Sequence, residues 1–472
     1  MESPDRSEDV MVMSNIPFSS RSGSVTPYTY LFGPDQRDGE THISEDVVDI
    51  GMEPCEFPIE RIAAEPEHEE RFTPKFGKLE AFFGFLAIGF YVSDVGTDIW
   101  MAVKYFMGGQ LLHGSVTVVL IVVPSLVMCG LGLTWYVLDY QKEQMALVEA
   151  KHDTDPCMLG RVRELLTPAY LWPIRFTVTL LQFGMIIRIS EYLNSVFKFM
   201  HTNTKENEEK KEGHKRKKIY YWRAMCQDVN VCLLQLFESF LESVPQLTWQ
   251  LYVWITLKPE EDVLGLTLRA GGALSSWMST TMNLMLYHRS VRCSRARDGF
   301  KPMTFRSIPF YLIWRASELG TRVLCISLFA SSFHASVLVP VGIHWFLMSV
   351  WLMCQGTHFY KNSPRLDKLF DVICGFPMVF CFLSLKKGHS RCRVLLFYII
   401  FYVENVAMMT VWFLHPTNVG EWFHVGGLIT VVVLAFLNIL FLLLYYTCSH
   451  PSGGSINYCL PWSEFTFYKL VC

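Results

Sequence analysis

Several features are missing from this sequence, and each absence closes a class of function. No glycine-rich loop ends in Lys-Ser or Lys-Thr, so nothing points to a bound nucleoside triphosphate as a drive. His-Glu-x-x-His is absent, and the 14 histidines do not cluster with cysteines at zinc spacing. No cofactor, metal or nucleic-acid partner is therefore expected. There is no Asn-x-Ser/Thr sequon, which fits a minimal exposed outer surface. The first 75 residues contain no apolar stretch of the kind a secretory signal needs. The 14 cysteines do not read as a disulfide framework: Cys129, Cys325 and Cys374 sit inside apolar runs, and Cys293 and Cys392 sit near basic connectors. Reduced, mostly buried thiols are expected.

Long apolar runs are abundant. The 472 residues are 51% hydrophobic, with a mean hydropathy of +0.25. Runs of about 20 apolar residues, the length that crosses a hydrocarbon core roughly 30 Å thick, recur from Leu79 onward. They lack the period-two alternation of barrel strands. Ten such segments fall at 79–107, 114–138, 165–190, 229–256, 263–288, 307–333, 336–356, 367–385, 394–415 and 422–448. The reading is an all-α integral membrane protein.

Charge sets the orientation. Residues 1–75 carry 17 acidic against 6 basic side chains, a net −11, which leaves +8 on the remainder. This composition predicts a disordered cytosolic tail. Basic connectors mark the cytosolic side. They lie at Lys205–Arg223 with Lys215–Lys218, at Arg289–Arg306, and around Lys386, Lys387, Arg391 and Arg393. The Lys205–Lys218 run is interleaved with glutamates and reads as a solvated loop that anionic inner-leaflet lipid can attract. With the N-terminus inside, segments 165–190 and 367–385 have cytosolic connectors on both flanks and must enter and return. Pro173 and Gly184 in the first, and Gly375-Phe376-Pro377 in the second, supply the breaks. The expectation is eight transmembrane helices plus two re-entrant helical segments in two parallel pseudo-repeats, with both termini cytosolic. The boundaries are a tail at 1–75, a first membrane repeat at 76–288, a basic connector at 289–306, a second repeat at 307–448 and a short cytosolic tail at 449–472.

Ionisable side chains inside these segments carry the functional signal, because a charge at a helix centre costs at least about 2.5–3.5 kcal/mol on insertion scales. Asp94 and Asp98 stand at i and i+4 on one face of the first segment, and Glu238 and Glu242 repeat that spacing in the fourth. Gln246 and Gln250 extend the second face. Arg315, Glu318 and Arg322 lie on the sixth segment, Glu404-Asn405 on the ninth, and Gln182 and Arg188 on the third. One reading is a set of buried ion pairs that fix helix packing. The other is a polar track for a lipid headgroup, an ion or a solute, and the residues alone do not separate these. His344 and His424 stand singly among apolar neighbours and read as ordinary packed histidines. The 14% aromatic content suits interfacial belts.

The same residues carry a resemblance. Val92-Ser93-Asp94-Val95-Gly96-Thr97-Asp98-Ile99-Trp100 and Phe237-Glu238-Ser239-Phe240-Leu241-Glu242-Ser243-Val244-Pro245-Gln246-Leu247 resemble motifs of the XK-related family of phospholipid scramblases. Arg391-Cys392-Arg393, Glu404-Asn405, Tyr445-Tyr446 and His450-Pro451 follow in family order, covering roughly residues 79–451. The resemblance implies ATP-independent scrambling at the plasma membrane that exposes phosphatidylserine on dying cells. It also implies a duplicated architecture, caspase activation through a cytosolic tail, and a single-span escort subunit or a homodimer as partner. By motif match Asp94, Asp98, Glu238, Glu242 and Glu404 correspond to the family's intramembrane acids, and Arg188 and Arg315 to basic positions. Residues 449–472 contain no aspartate, whereas Asp46-Val47-Val48-Asp49 offers a caspase-like site after Asp49. That layout resembles the nematode cell-death-abnormal member. The competing classes are a solute or ion transporter or channel, and a non-transporting membrane scaffold.

Overall fold

The computed structural model describes residues 48–49, 77–152, 156–202, 208–257, 263–294, 303–357, 359–360, 363–385, 388–389, 391–415 and 421–449. Most of the acidic tail, Lys205–Asn207, Arg295–Lys301, Lys386–Lys387 and residues 450–472 lie outside this set, so the expectations placed on them do too. The regular structure of the described residues is helical apart from one two-residue pairing, in which Val48–Asp49 runs antiparallel to Gly388–His389.

The helices in chain order are α1 (Lys78–Met107), α2 (Leu111–His152), α3 (Pro156–Leu165), α4 (Leu171–Leu180), α5 (Gly184–His201), α6 (Glu208–Glu238), α7 (Val244–Leu257), α8 (Val263–Ser294), α9 (Ser307–Phe333), α10 (Leu338–Gln355), α11 (Pro364–Gly375), α12 (Arg391–Leu414) and α13 (Glu421–Leu444). Among the described residues, five helical stretches are long and apolar enough to cross a membrane: Glu80–Met107, Leu111–His152, Ser307–Gln355, Cys392–Leu414 and His424–Thr447. The third spans α9 and α10, and the chain breaks between them at His334, whose φ is +47°. Many apolar side chains on these stretches are exposed, among them Phe83, Val123, Phe346, Val403 and Phe436. Water would penalise such a surface, and lipid would not.

At 1.5 Å per residue the 42-residue α2 is about 63 Å long, twice a hydrocarbon core. Its last turns leave the apolar zone and pack with α3 and the start of α6 around Ala146, Ala150, Val162, Leu165 and Ile219. Glu143 of α2 accepts hydrogen bonds from the Thr167 N–H at 3.0 Å and from its hydroxyl at 2.6 Å, and Arg223 of α6 donates to the Leu165 carbonyl. Side chains thus satisfy the backbone where α3 ends.

Segment 165–190 is interrupted, but not at Pro173. That proline sits in the first turn of α4, where its missing N–H has no helical partner to lose. The break comes at Leu181–Phe183, with Gln182 at φ +69°. A left-handed non-glycine residue persists only when its surroundings hold it. Here the Tyr91 hydroxyl donates to the Gln182 carbonyl at 3.2 Å, and Ser125 donates to its side-chain Oε1 at 2.7 Å. Gly184 begins α5 rather than bending a continuous helix. Segment 367–385 breaks where the sequence indicates: α11 ends at Gly375, a 3-10 turn covers Pro377–Val379, and Phe382–Leu385 has no regular secondary structure. Gly375 is required there, since a Cβ would fall on the Ser349 hydroxyl and within 3.0 Å of its backbone nitrogen.

Helix α9 is the hub, packing against α7, α8, α12 and α13 and buried along most of its length. Near one end, Tyr311, Trp314 and Tyr445 form an aromatic cluster with His288, which stacks on Tyr311 at 4.8 Å. Cys232, Cys325, Cys374 and Cys381 are buried free thiols, and Cys129 is a half-buried one.

Candidate functional site

The intramembrane charges fall into two groups of opposite character. The first is built on α1, α6 and α7. The Glu238–Glu242 pair sits at a π turn, Ser239–Ser243, inserted between α6 and α7. Pro245 follows directly; its ring cannot accommodate an ordinary helical carbonyl four residues back, and the wider turn relieves that conflict. The turn is anchored from α8, where Asn283 donates to the Ser239 hydroxyl at 2.8 Å. Ser243 then donates to Asp94 of α1 at 3.0 Å, which brings the two acidic pairs together. Asp98 and Glu242 are 5% and 6% exposed, and Asp94 and Glu238 are half-buried. Gln246, 2% exposed, stands beside Asp98. Among the described residues none of these four acids forms an ion pair.

Arg188 of α5 lines the same cleft as two of these acids. The cleft, with about 500 Å³ of empty volume counted to its open mouth, is lined by Glu238 and Glu242 together with Arg188, Tyr91, Gln182 and Tyr136. The Arg188 guanidinium lies 3.9 Å over the Tyr136 ring and is 7% exposed. Its polar contacts are long: 3.5 Å to the Gly132 carbonyl and 3.9 Å to Asp139, while Nε has no partner. Arg175, which the sequence did not single out, lies 5.2 Å from the centre of the same Tyr136 ring and bonds Glu191 at 2.7 Å. The cleft therefore presents a weakly held cation and unmatched acids. No set of three or more His, Cys, Asp or Glu is placed to hold a metal ion among the described residues.

In the second group every arginine has an acidic partner, although Arg315 Nε and the Asn405 amide nitrogen close no hydrogen bond. On α9, Arg315 bonds Glu318 at 2.8 Å and the Phe382 carbonyl at 2.9 Å, and packs 4.1 Å over Trp314. Glu318 accepts from the Phe382 N–H at 3.0 Å and from the Tyr398 hydroxyl at 2.9 Å. One turn further on, Arg322 donates to the Val379 carbonyl and to Asn405 at 2.8 Å each, and to Glu404 at 2.7 Å. His344 of α10 joins this set, with Nδ1 2.7 Å from Glu404 and Nε2 3.1 Å from the Met378 carbonyl. These charges hold the interrupted stretch after α11 by its backbone. Of the sequence candidates, Asp94, Asp98, Glu238, Glu242, Gln246 and Arg188 gather at the first group. Arg315, Glu318, Arg322 and Glu404 gather at the second. His344 was read as a packing residue, and nothing near it in sequence signals its partner 60 positions away.

The two groups are linked by apolar contact rather than by a continuous charge ladder: Phe240 of the π turn faces Phe380, and Phe237 faces Phe370. The family model of the XK-related protein matches residues 82–451, which include every residue of both groups. The chain belongs to the XK-related family. It is similar to XK-related protein 8 of Gasterosteus aculeatus, at 24% identity over 381 residues, covering 80% of this chain and 85% of that relative. The matched range spans both interrupted segments and ends just after the aromatic cluster at Tyr445.

Proposed function

We propose that this XK-related protein is a passive phospholipid scramblase, and that the cleft between α1, α2, α5 and α6 receives the lipid headgroup. The observation that carries this reading is the mismatch at the cleft. A buried carboxyl or guanidinium normally has a partner, yet Glu238 and Glu242 face an opening without a cationic one, and Arg188 has spare donor capacity. A headgroup holding a phosphate and an ammonium supplies both missing partners. Arg188 takes the phosphate, the acids take the ammonium, and the acyl chains stay among exposed side chains such as Val92, Ile99 and Val103 on α1. The Arg315–Glu318 and Arg322–Glu404 pairs then serve as the frame that fixes the second repeat.

In this reading α1, α2, the α6–α7 pair, α8, α9, α10, α12 and α13 are eight spans, and α4–α5 and α11 with its 3-10 turn are re-entrant. The protein resides in the plasma membrane with both termini in the cytosol, and its activity exposes phosphatidylserine during cell death. The pairing of Val48–Asp49 with Gly388–His389 supports control from the N-terminal side, because a caspase cut after Asp49 leaves this strand on a fragment no longer joined covalently to the membrane helices. The test is reconstitution of the purified full-length protein in vesicles carrying a fluorescent lipid. Dithionite quenching of both leaflets is expected. Ion or solute flux without lipid exchange would instead favour a transporter.

A further inference from the structure

His344 has no solvent exposure, and both of its ring nitrogens face oxygen atoms. A backbone carbonyl only accepts, so the 3.1 Å contact to Met378 assigns a hydrogen to Nε2. The contact between Nδ1 and Glu404 Oε2, at 2.7 Å, then needs a hydrogen of its own. A neutral imidazole with Nε2 protonated offers a lone pair at Nδ1, and an ionised carboxylate offers only lone pairs. Two acceptors facing one another at that distance repel. Whether the hydrogen is assigned to the ring or to the carboxyl, the pair holds one proton more than neutral histidine beside free carboxylate.

We infer that His344 and Glu404 share a titratable proton that latches the Pro377–Val379 turn onto α10. With the proton present, His344 bonds the Met378 carbonyl and Glu404 together, and Arg322 holds the next carbonyl, that of Val379. Without it, Nδ1 and Oε2 push apart, and the histidine is driven off the position from which it holds Met378. The charged groups facing the ring are Arg322 from α9, whose Nη2 is 3.4 Å from Nδ1, and Glu404 from α12. Asn405 is bound to Arg322, and Phe397 of α12 packs against the ring at 6.1 Å between centroids. The 377–379 turn contributes carbonyls alone. The acids of α11 are engaged elsewhere, Asp367 with the Tyr360 N–H and Asp371 with the Thr357 hydroxyl, and His334 in the turn before α10 faces Tyr252. His344 is thus a positioning residue for the second interrupted segment.

The experiment is thermal unfolding of the purified full-length protein and its His344→Gln variant from mildly acidic to alkaline pH. The variant is expected to unfold at lower temperature in acid, with the gap closing as pH rises, because the latch contributes stability only while the shared proton is bound. A gap that stays constant across pH would overturn the proposal, since a merely space-filling histidine gives that result. Nuclear magnetic resonance of the isotope-labelled wild-type protein is the second readout, and it does not depend on recovering the variant. The His344 signals are expected to show a hydrogen-bonded proton on each ring nitrogen or bridging Nδ1 to its partner. A neutral ring with a bare Nδ1 in acid would overturn it.

Discussion

The Glu318 carboxylate accepts the Phe382 N–H at 3.0 Å, 64 positions along the chain, while Arg315 beside it takes the carbonyl of the same residue at 2.9 Å. An ion pair here satisfies a backbone that has no helical or strand partner of its own. It is the reason the non-helical Phe382 can be buried with both of its backbone groups bonded.

Removing one member of that pair should therefore be severe. Glu318→Ala leaves Arg315 buried and unmatched, at a cost of about 3–5 kcal/mol, and frees the Phe382 N–H. Expected outcomes are poor surface delivery and a low yield of monodisperse protein. The double variant Arg315→Met, Glu318→Leu should recover part of the loss, since no lone charge remains. Size-exclusion profiles and unfolding temperatures check both.

The first group should behave in the opposite way. Glu242→Gln replaces a buried carboxyl that has no cationic partner in the described structure, so folding should be unharmed or improved. Lipid exchange should fall, because the ammonium loses its counter-charge; a loss of about 1.4 kcal/mol corresponds to a tenfold slower rate. Arg322→Gln, in the matched group, should be lost at folding instead. Comparing stability and exchange for these two variants checks the division of the charges into a headgroup site and a frame.

Gly375→Ala should destabilise by about 1–3 kcal/mol through overpacking against Ser349. Ser349→Gly removes the hydroxyl under the added methyl group and should rescue only partly, because the new methyl also approaches the Ser349 backbone. Unfolding temperatures of the single and double variants check this.

Both interrupted segments should be reachable only from the cytosolic side. A cysteine at Phe183, which is exposed beside the break in segment 165–190, should react with an impermeant reagent in inside-out but not right-side-out vesicles. Labelling from outside would overturn the re-entrant assignment.

Much of this was legible in the chain. The apolar runs gave the helices, and the i, i+4 acids gave the α1 and α6–α7 faces, because both signals are local and periodic. Gly375-Phe376-Pro377 announced its break for the same reason. Of the two breaks expected in segment 165–190, Gly184 adjoins the one found at Gln182 and Pro173 does not, since a proline in a first helical turn costs nothing and a left-handed glutamine is held by two distant hydroxyls. His344 was passed over because its meaning lies in Glu404 and in two carbonyls of another segment. The separation of ten polar candidates into an unmatched cleft and a matched frame was equally hidden. Sequence spacing shows which charges share a helix face, and only packing shows which of them meet.

The central claim is that the cleft moves lipid headgroups. Its most direct test is the dithionite assay on purified full-length protein in phosphatidylcholine–phosphatidylserine vesicles, with the tail intact and with it cut after Asp49. Quenching of the inner-leaflet probe, faster in the cut protein and slowed by Glu242→Gln and Arg188→Gln, is the predicted result. Quenching confined to the outer leaflet by correctly folded protein in both forms would contradict the account.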